Sequence, residues 1–134
     1  MNHLLKSLIL LGLFFVLSCQ SKTETETKVA NTDSNSAKIT FVELGSVKCI
    51  PCKAMQPVME SIEKKYGDQI NVVFYDVWKE DQKKYAQEYK IKLIPTQVFL
   101  NEAGEEIYRH EGFFPEKEID DFLQKQGLKP KQTS

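Results

Sequence analysis

Between residues 38 and 128 the spacing of apolar residues changes repeatedly, and that alternation constrains the fold more than any other feature. Ile39–Leu44 is a short, mainly apolar run of the kind that forms a buried strand. Gly45-Ser46 interrupts it. From Ile50 to Tyr66 the spacing becomes helical, with Met55, Val58, Met59, Ile62 and Tyr66 on one face, and Gly67-Asp68 end it. Ile70–Val77 reads as a second strand, Glu80–Lys90 as a second helix and Thr96–Leu100 as a third strand. Glu102-Ala103-Gly104 turns the chain into a fourth strand, Glu105–His110. Pro115 opens a last helix whose Ile119, Phe122 and Leu123 face inward, and Gly127 closes it. The order β-α-β-α-β-β-α predicts an α/β fold, a mixed four-stranded sheet flanked by helices.

The segments outside this domain have a different chemistry. Residues 1–18 carry a positive charge at Lys6 and an apolar run from Leu8 to Leu17, broken only by Gly12. That is the pattern of a signal peptide, and the run is shorter than the ~20 apolar residues a membrane span needs. Val16-Leu17-Ser18-Cys19 resembles the lipobox of bacterial lipoproteins, which implies cleavage before Cys19 and lipidation of that residue. The alternatives are a plain cleaved signal with Cys19 incidental, or an uncleaved anchor. Each places the domain outside the cytoplasm, and the lipobox implies a lipid anchor in a bacterial membrane, in the periplasm or on the cell surface. Residues 19–37 hold almost no large apolar side chain after the cysteine and read as a flexible tether. The domain is expected over 38–128, with a disordered tail at 129–134. The formal net charge of the 134-residue chain is -1, without a basic cluster, so no nucleic-acid partner is expected. A monomer is expected.

Two of the three cysteines, Cys49 and Cys52, form a C-x-x-C pair where a strand and short loop hand over to a helix. Free N–H groups at a helix start favour an anion, so Cys49 is placed to become an exposed, reactive thiolate. Cys52, one turn on, is placed to close a disulfide with it, and Pro51 loses little in the first turn. A half-site for zinc is an alternative, but a second C-x-x-C is absent and the only histidine of the domain is His110. A static disulfide is another, although so short a loop staples weakly.

Several separated motifs resemble the thioredoxin family. Cys49-Ile50-Pro51-Cys52-Lys53 with Pro57 resembles its active-site helix, and Ile94-Pro95-Thr96 its cis-proline loop. Phe99-Leu100-Asn101 with Gly104, and Gly112 before the last helix, resemble later parts of the same fold. Glu43, six residues before Cys49, falls where that family carries a buried acid. The resemblance implies that Cys49 and Cys52 are catalytic, that Glu43 takes the proton of Cys52, and that Ile94, Pro95 and Ile50 bind substrate. On this reading a cis Pro95 presents the Ile94 backbone to an extended substrate. No cofactor is expected.

The departures are also informative. Lys48 stands where the family usually has tryptophan, and Ile50 where it usually has glycine. The family's leading strand and helix have no evident counterpart, which leaves an exposed sheet edge. Trp78 reads as a loop aromatic packed on its own domain, Phe113-Phe114 as half core and half exposed, and His110 as structural. The expected activity is thiol–disulfide exchange on protein disulfides, in the reducing direction, fed by a membrane thiol-electron donor, with the lipid membrane held through Cys19. The alternatives are a metal-binding or metallochaperone module, a disulfide oxidase or isomerase, and a passive lipoprotein.

Overall fold

The computed structural model describes residues 37–131. The expected signal segment, Cys19 and all of the expected tether but Ala37 lie outside the described residues, as do residues 132–134. The elements are β1 (Ile39–Gly45), α1 (Ile50–Tyr66), β2 (Ile70–Asp76), α2 (Lys84–Glu88), β3 (Thr96–Asn101), β4 (Glu106–Glu111) and α3 (Glu116–Lys125). A 3-10 turn, Gly67–Gln69, joins α1 to β2. Among the described residues, no helix is long and apolar enough to cross a membrane.

The four strands form one sheet in the order β2-β1-β3-β4. β1 runs parallel to β2, with Phe41 opposite Val72, and antiparallel to β3, with Phe41 opposite Phe99. A parallel pair needs a crossover, which α1 supplies. Side chains alternate between the two faces of each strand. Ile39, Phe41 and Phe99 therefore pack with Met55, Ile62 and Tyr66 of α1 and Ile119 and Leu123 of α3. Phe41 and Phe99 stack at 4.7 Å between ring centroids. Val42, Leu44 and Val98 occupy the opposite face, covered by Tyr85, Ala86 and Tyr89. The expected mixed four-stranded sheet and the helical stripe of α1 are both present, and all five stripe residues are buried.

Two expectations need correction. The second helix was expected from Glu80, yet it spans only Lys84–Glu88, and the preceding residues form successive turns. Residues 79–84 offer no apolar side chain to bury, so only the part around Tyr85 and Ala86 gains a packed face. The tail was expected to be free from Lys129, yet residues 129–131 are tied down. Leu128 is buried, the Gln69 side chain bonds both the N–H (3.0 Å) and the C=O (2.7 Å) of Lys129, and the Lys131 N–H donates to the Lys65 carbonyl at 2.8 Å. A side-chain amide here does what a neighbouring strand would otherwise do.

Candidate active site

The C-terminal ends of β1 and β2, the start of β3 and the end of β4 lie at the same end of the sheet, because Leu44 pairs with Thr96, Gly45 with Asp76 and Thr96 with Glu111. The loops carrying the expected site residues all leave from this end. Cys49 is the N-cap of α1, in extended conformation, and its N–H donates to the Ser46 carbonyl at 3.1 Å. Pro51 falls in the first turn, where a missing N–H is harmless. Cys49 and Cys52 are joined in a disulfide with Cα atoms 5.2 Å apart. Cys49 was expected to be exposed, yet it is buried against its own disulfide and loop, at 9% against 0% for Cys52, so only a small margin of it is open to solvent.

Cys52 lies over Gly45. A Cβ on Gly45 would come 3.1 Å from the Cys52 Cβ and 3.3 Å from its Sγ, so the absence of a side chain there makes room for the buried sulfur. Glu43 lies two residues back along β1, on the same face as Gly45 and roughly 6–7 Å away along the strand. Its carboxyl therefore lies on the face of the sheet that Cys52 covers. Glu43 is fully buried, and that burial pushes its pKa up to about 8 against the smaller, opposing effect of a hydrogen bond from Gln97.

The Ile94–Pro95 peptide bond is cis, and Pro95 is buried. The Pro95 carbonyl accepts the Gly112 N–H at 2.8 Å, which joins the proline loop to the loop bearing Phe113. Among the described residues, no backbone hydrogen bond uses the N–H or C=O of Ile94. Around this end the exposed apolar side chains are Val47, Ile50, Trp78, Leu93 and Phe113, with Ile50 the most exposed at 83%. Trp78 is 61% exposed, which corrects the expectation that it packs on its own domain. Phe113 is exposed and Phe114 buried, as the half-core reading required. His110 stacks on Phe114 at 4.1 Å between ring centroids, and its Nε2 lies 3.2 Å from the Phe113 carbonyl. Lys48 is exposed.

Two residues of this region escaped the sequence reading. Gln97, fully buried on β3 directly opposite Glu43, donates from Nε2 to Glu43 Oε2 at 3.0 Å. The available signal was an amide directly before the apolar run Val98-Phe99-Leu100, just after the proline loop. Asp76, buried at the end of β2, accepts the N–H of Trp78 at 3.2 Å and that of Val47 at 3.5 Å. It thereby ties the loop before Cys49 to the loop after β2. Among the described residues, no group of three or more His, Cys, Asp or Glu side chains converges as a metal site.

A disulfide of two residues in C-x-x-C spacing at the head of a helix, beside a cis-proline loop, defines a class of redox domain. The model of the thioredoxin-like domain matches residues 24–127, and the chain belongs to this family. The chain is 30% identical over 103 residues to thioredoxin Y, chloroplastic, of Oryza sativa subsp. japonica, which covers 77% of this chain and 60% of that protein. It is 31% identical over 85 residues to the thioredoxin of Pongo abelii, covering 63% of this chain and 77% of the relative. The crystal structure of thioredoxin NaTrxh from Nicotiana alata superposes with a TM-score of 0.56 at 31% identity, over 66% of this chain and 72% of that one. The fold and the Cys49–Cys52 pair equip the chain for thiol–disulfide redox chemistry.

Proposed function

We propose that the chain is a protein-disulfide reductase held outside the cytoplasm by a lipid on Cys19. The observation that carries the enzymatic reading is the asymmetry of the sulfur pair: Cys49, the N-cap of α1, keeps a small accessible margin, while Cys52 has none.

In the reduced protein the helix start favours the Cys49 thiolate. That thiolate attacks one sulfur of a substrate disulfide. The substrate S–S bond breaks, a mixed disulfide forms, and the first substrate thiolate leaves and takes a proton from water. Cys52 passes its thiol proton to the Glu43 carboxylate, and its sulfur attacks Cys49 Sγ. The Cys49–Cys52 bond forms as the second substrate thiolate leaves, so two electrons have passed to the substrate. A membrane dithiol donor restores the reduced pair by the reverse sequence. Ile50, Leu93 and Phe113 give an extended substrate an apolar landing, and the unpaired Ile94 backbone gives it strand-like hydrogen bonds. Tethering raises the effective concentration of a membrane-bound donor.

The test is insulin reduction with a thiol donor. Cys49→Ser should abolish turnover, and Cys52→Ser should stall the protein as a mixed disulfide. Turnover that survives Cys49→Ser removes the reading, as does stoichiometric binding of copper or zinc without turnover. A redox titration against glutathione decides the direction, because a strongly oxidising potential would indicate an oxidase. Loss of fatty-acid labelling in Cys19→Ala tests the anchor.

A further inference from the structure

The residues around Glu43 form a row across one face of the sheet. β2 contributes Phe74, β1 Glu43, β3 Gln97 and β4 His110, each directly opposite its neighbour. Residues so paired share a face. Phe74 is apolar and packs against the core, so the buried carboxyl has no cation beside it in β2. α1 places the Cys52 sulfur over Gly45 and, one turn on, carries the neutral Gln56 amide with its Nε2 buried. Asp76, two residues beyond Phe74 on β2, has its carboxylate engaged by the backbone of Val47 and Trp78. His110 lies past Gln97 and is bonded to the Phe113 carbonyl. The direct hydrogen-bond partner of Glu43 is therefore an amide.

This amide meets the carboxyl at one corner only. Gln97 Nε2 donates to Glu43 Oε2 at 3.0 Å, while Glu43 Oε1 and Gln97 Oε1 are both buried and without a hydrogen-bond partner among the described residues, and the buried Gln56 Nε2 donor bonds neither of them. Two buried acceptors without a donor between them are costly. A single proton on Oε1 resolves both, because a protonated carboxyl is a donor and an amide oxygen an acceptor. The acid and the amide then form a two-bond ring. An apolar residue in place of Gln97 would serve neither charge state, and a lysine only the charged one.

We propose that Gln97 is a positioning residue for proton transfer at the disulfide, its amide pairing with Glu43 in both protonation states. It donates to Oε2 of the carboxylate, and in the neutral acid it also accepts the proton held on Oε1. The proposal rests on the reading of Glu43 as the proton partner of Cys52. Because Oε2 is engaged in both states, Oε1 is the atom that gains and loses the proton. When Cys52 attacks, its S–H bond breaks, the Oε1–H bond of Glu43 forms, and that proton returns to Cys52 when a donor reopens the disulfide. The burial that raises the pKa of Glu43 to about 8 makes its carboxylate a stronger proton acceptor than an ordinary glutamate.

The oxidised full chain provides the test, since its disulfide sulfurs do not titrate. Followed by NMR, the Glu43 side-chain carboxyl carbon and the Gln97 side-chain amide should move with one shared midpoint. A Gln97 amide that stays flat while Glu43 titrates overturns the proposal, and this measurement needs no variant. Gln97→Met keeps the volume but removes both bonds. The bond to the charged form is the stronger, so the Glu43 midpoint should rise by about one pH unit. The pH profile of Cys52 attack should rise with it, and an unmoved midpoint overturns the proposal. The underlying reading fails separately: if Glu43→Gln leaves the rate and pH profile of Cys52 attack unchanged, Glu43 is not the proton partner, whatever Gln97 does.

Discussion

Glu43 makes the stability of the molecule depend on pH in a direction opposite to that of a paired surface carboxylate. Burial raises its pKa from 4.5 to about 8. Between those values the folded state keeps a proton that the unfolded chain releases. Its contribution is therefore fully present below about pH 4.5 and is lost as pH rises through about 8. The full loss is on the order of 5 kcal/mol. Glu43→Gln should be more stable than the native oxidised protein at pH 9 and should flatten the dependence between pH 5 and 9. Urea unfolding at several pH values measures it, and equal slopes for the two proteins would contradict the assignment. Glu43 was legible as an acid inside an apolar strand run beside the cysteine helix. Gln97 was not, because strand register, which decides what stands opposite Glu43, cannot be read from one strand at a time.

At the scale of elements, α1 and α3 are joined by a small polar bridge as well as by the core. Lys65 Nζ lies 2.6 Å from both Glu116 and Asp120, Tyr66 Oη bonds Asp120 at 3.1 Å, and Ser61 bonds Glu116 at 2.8 Å. The bond that Lys65 donates to Asp120, then that to Glu116, holds its ammonium above its usual pKa. The bridge is about one-third exposed at Lys65, so Lys65→Met should lower stability by about 1 kcal/mol or less. The deficit should shrink further in high salt, and thermal melts at low and high ionic strength would check this. A loss that salt does not change would mean that the lysine stem, not its charge, matters. The helices show how far periodicity carries. α1 and α3 have continuous apolar stripes and match their expected extents closely. α2 begins later than expected, because the charged residues before it have no face to bury. The strap at 129–131 was hidden for another reason. Its hold comes from Gln69, sixty residues earlier in the chain, and no local pattern announces that.

For the whole molecule, the single tryptophan provides a direct reading of the surface. Trp78 is 61% exposed at the end of the sheet that carries the disulfide. Its fluorescence in the folded protein should already resemble that of a hydrated indole, shift little on unfolding and be quenched readily by acrylamide. A large red shift on unfolding would show it packed after all. An unfolded or extended disulfide-bearing peptide bound at this end should protect it. The architecture itself was legible because the period changes are strong and the cysteine pair falls at one of them. The reactive rim was less so. Val47, Leu93 and Phe113 come from three loops, and only the assembled sheet reveals that these share an end.

The polarity of the first strand has a practical outcome. Lys38 enters the sheet beside Gln69, and Lys131 leaves beside Lys65, so both ends of the described chain emerge at the pole remote from the sulfurs. β1 is seven residues long, which separates the poles by roughly 20 Å. The polypeptide ahead of Lys38 therefore joins the domain at its foot, and the sulfurs stand at the opposite pole.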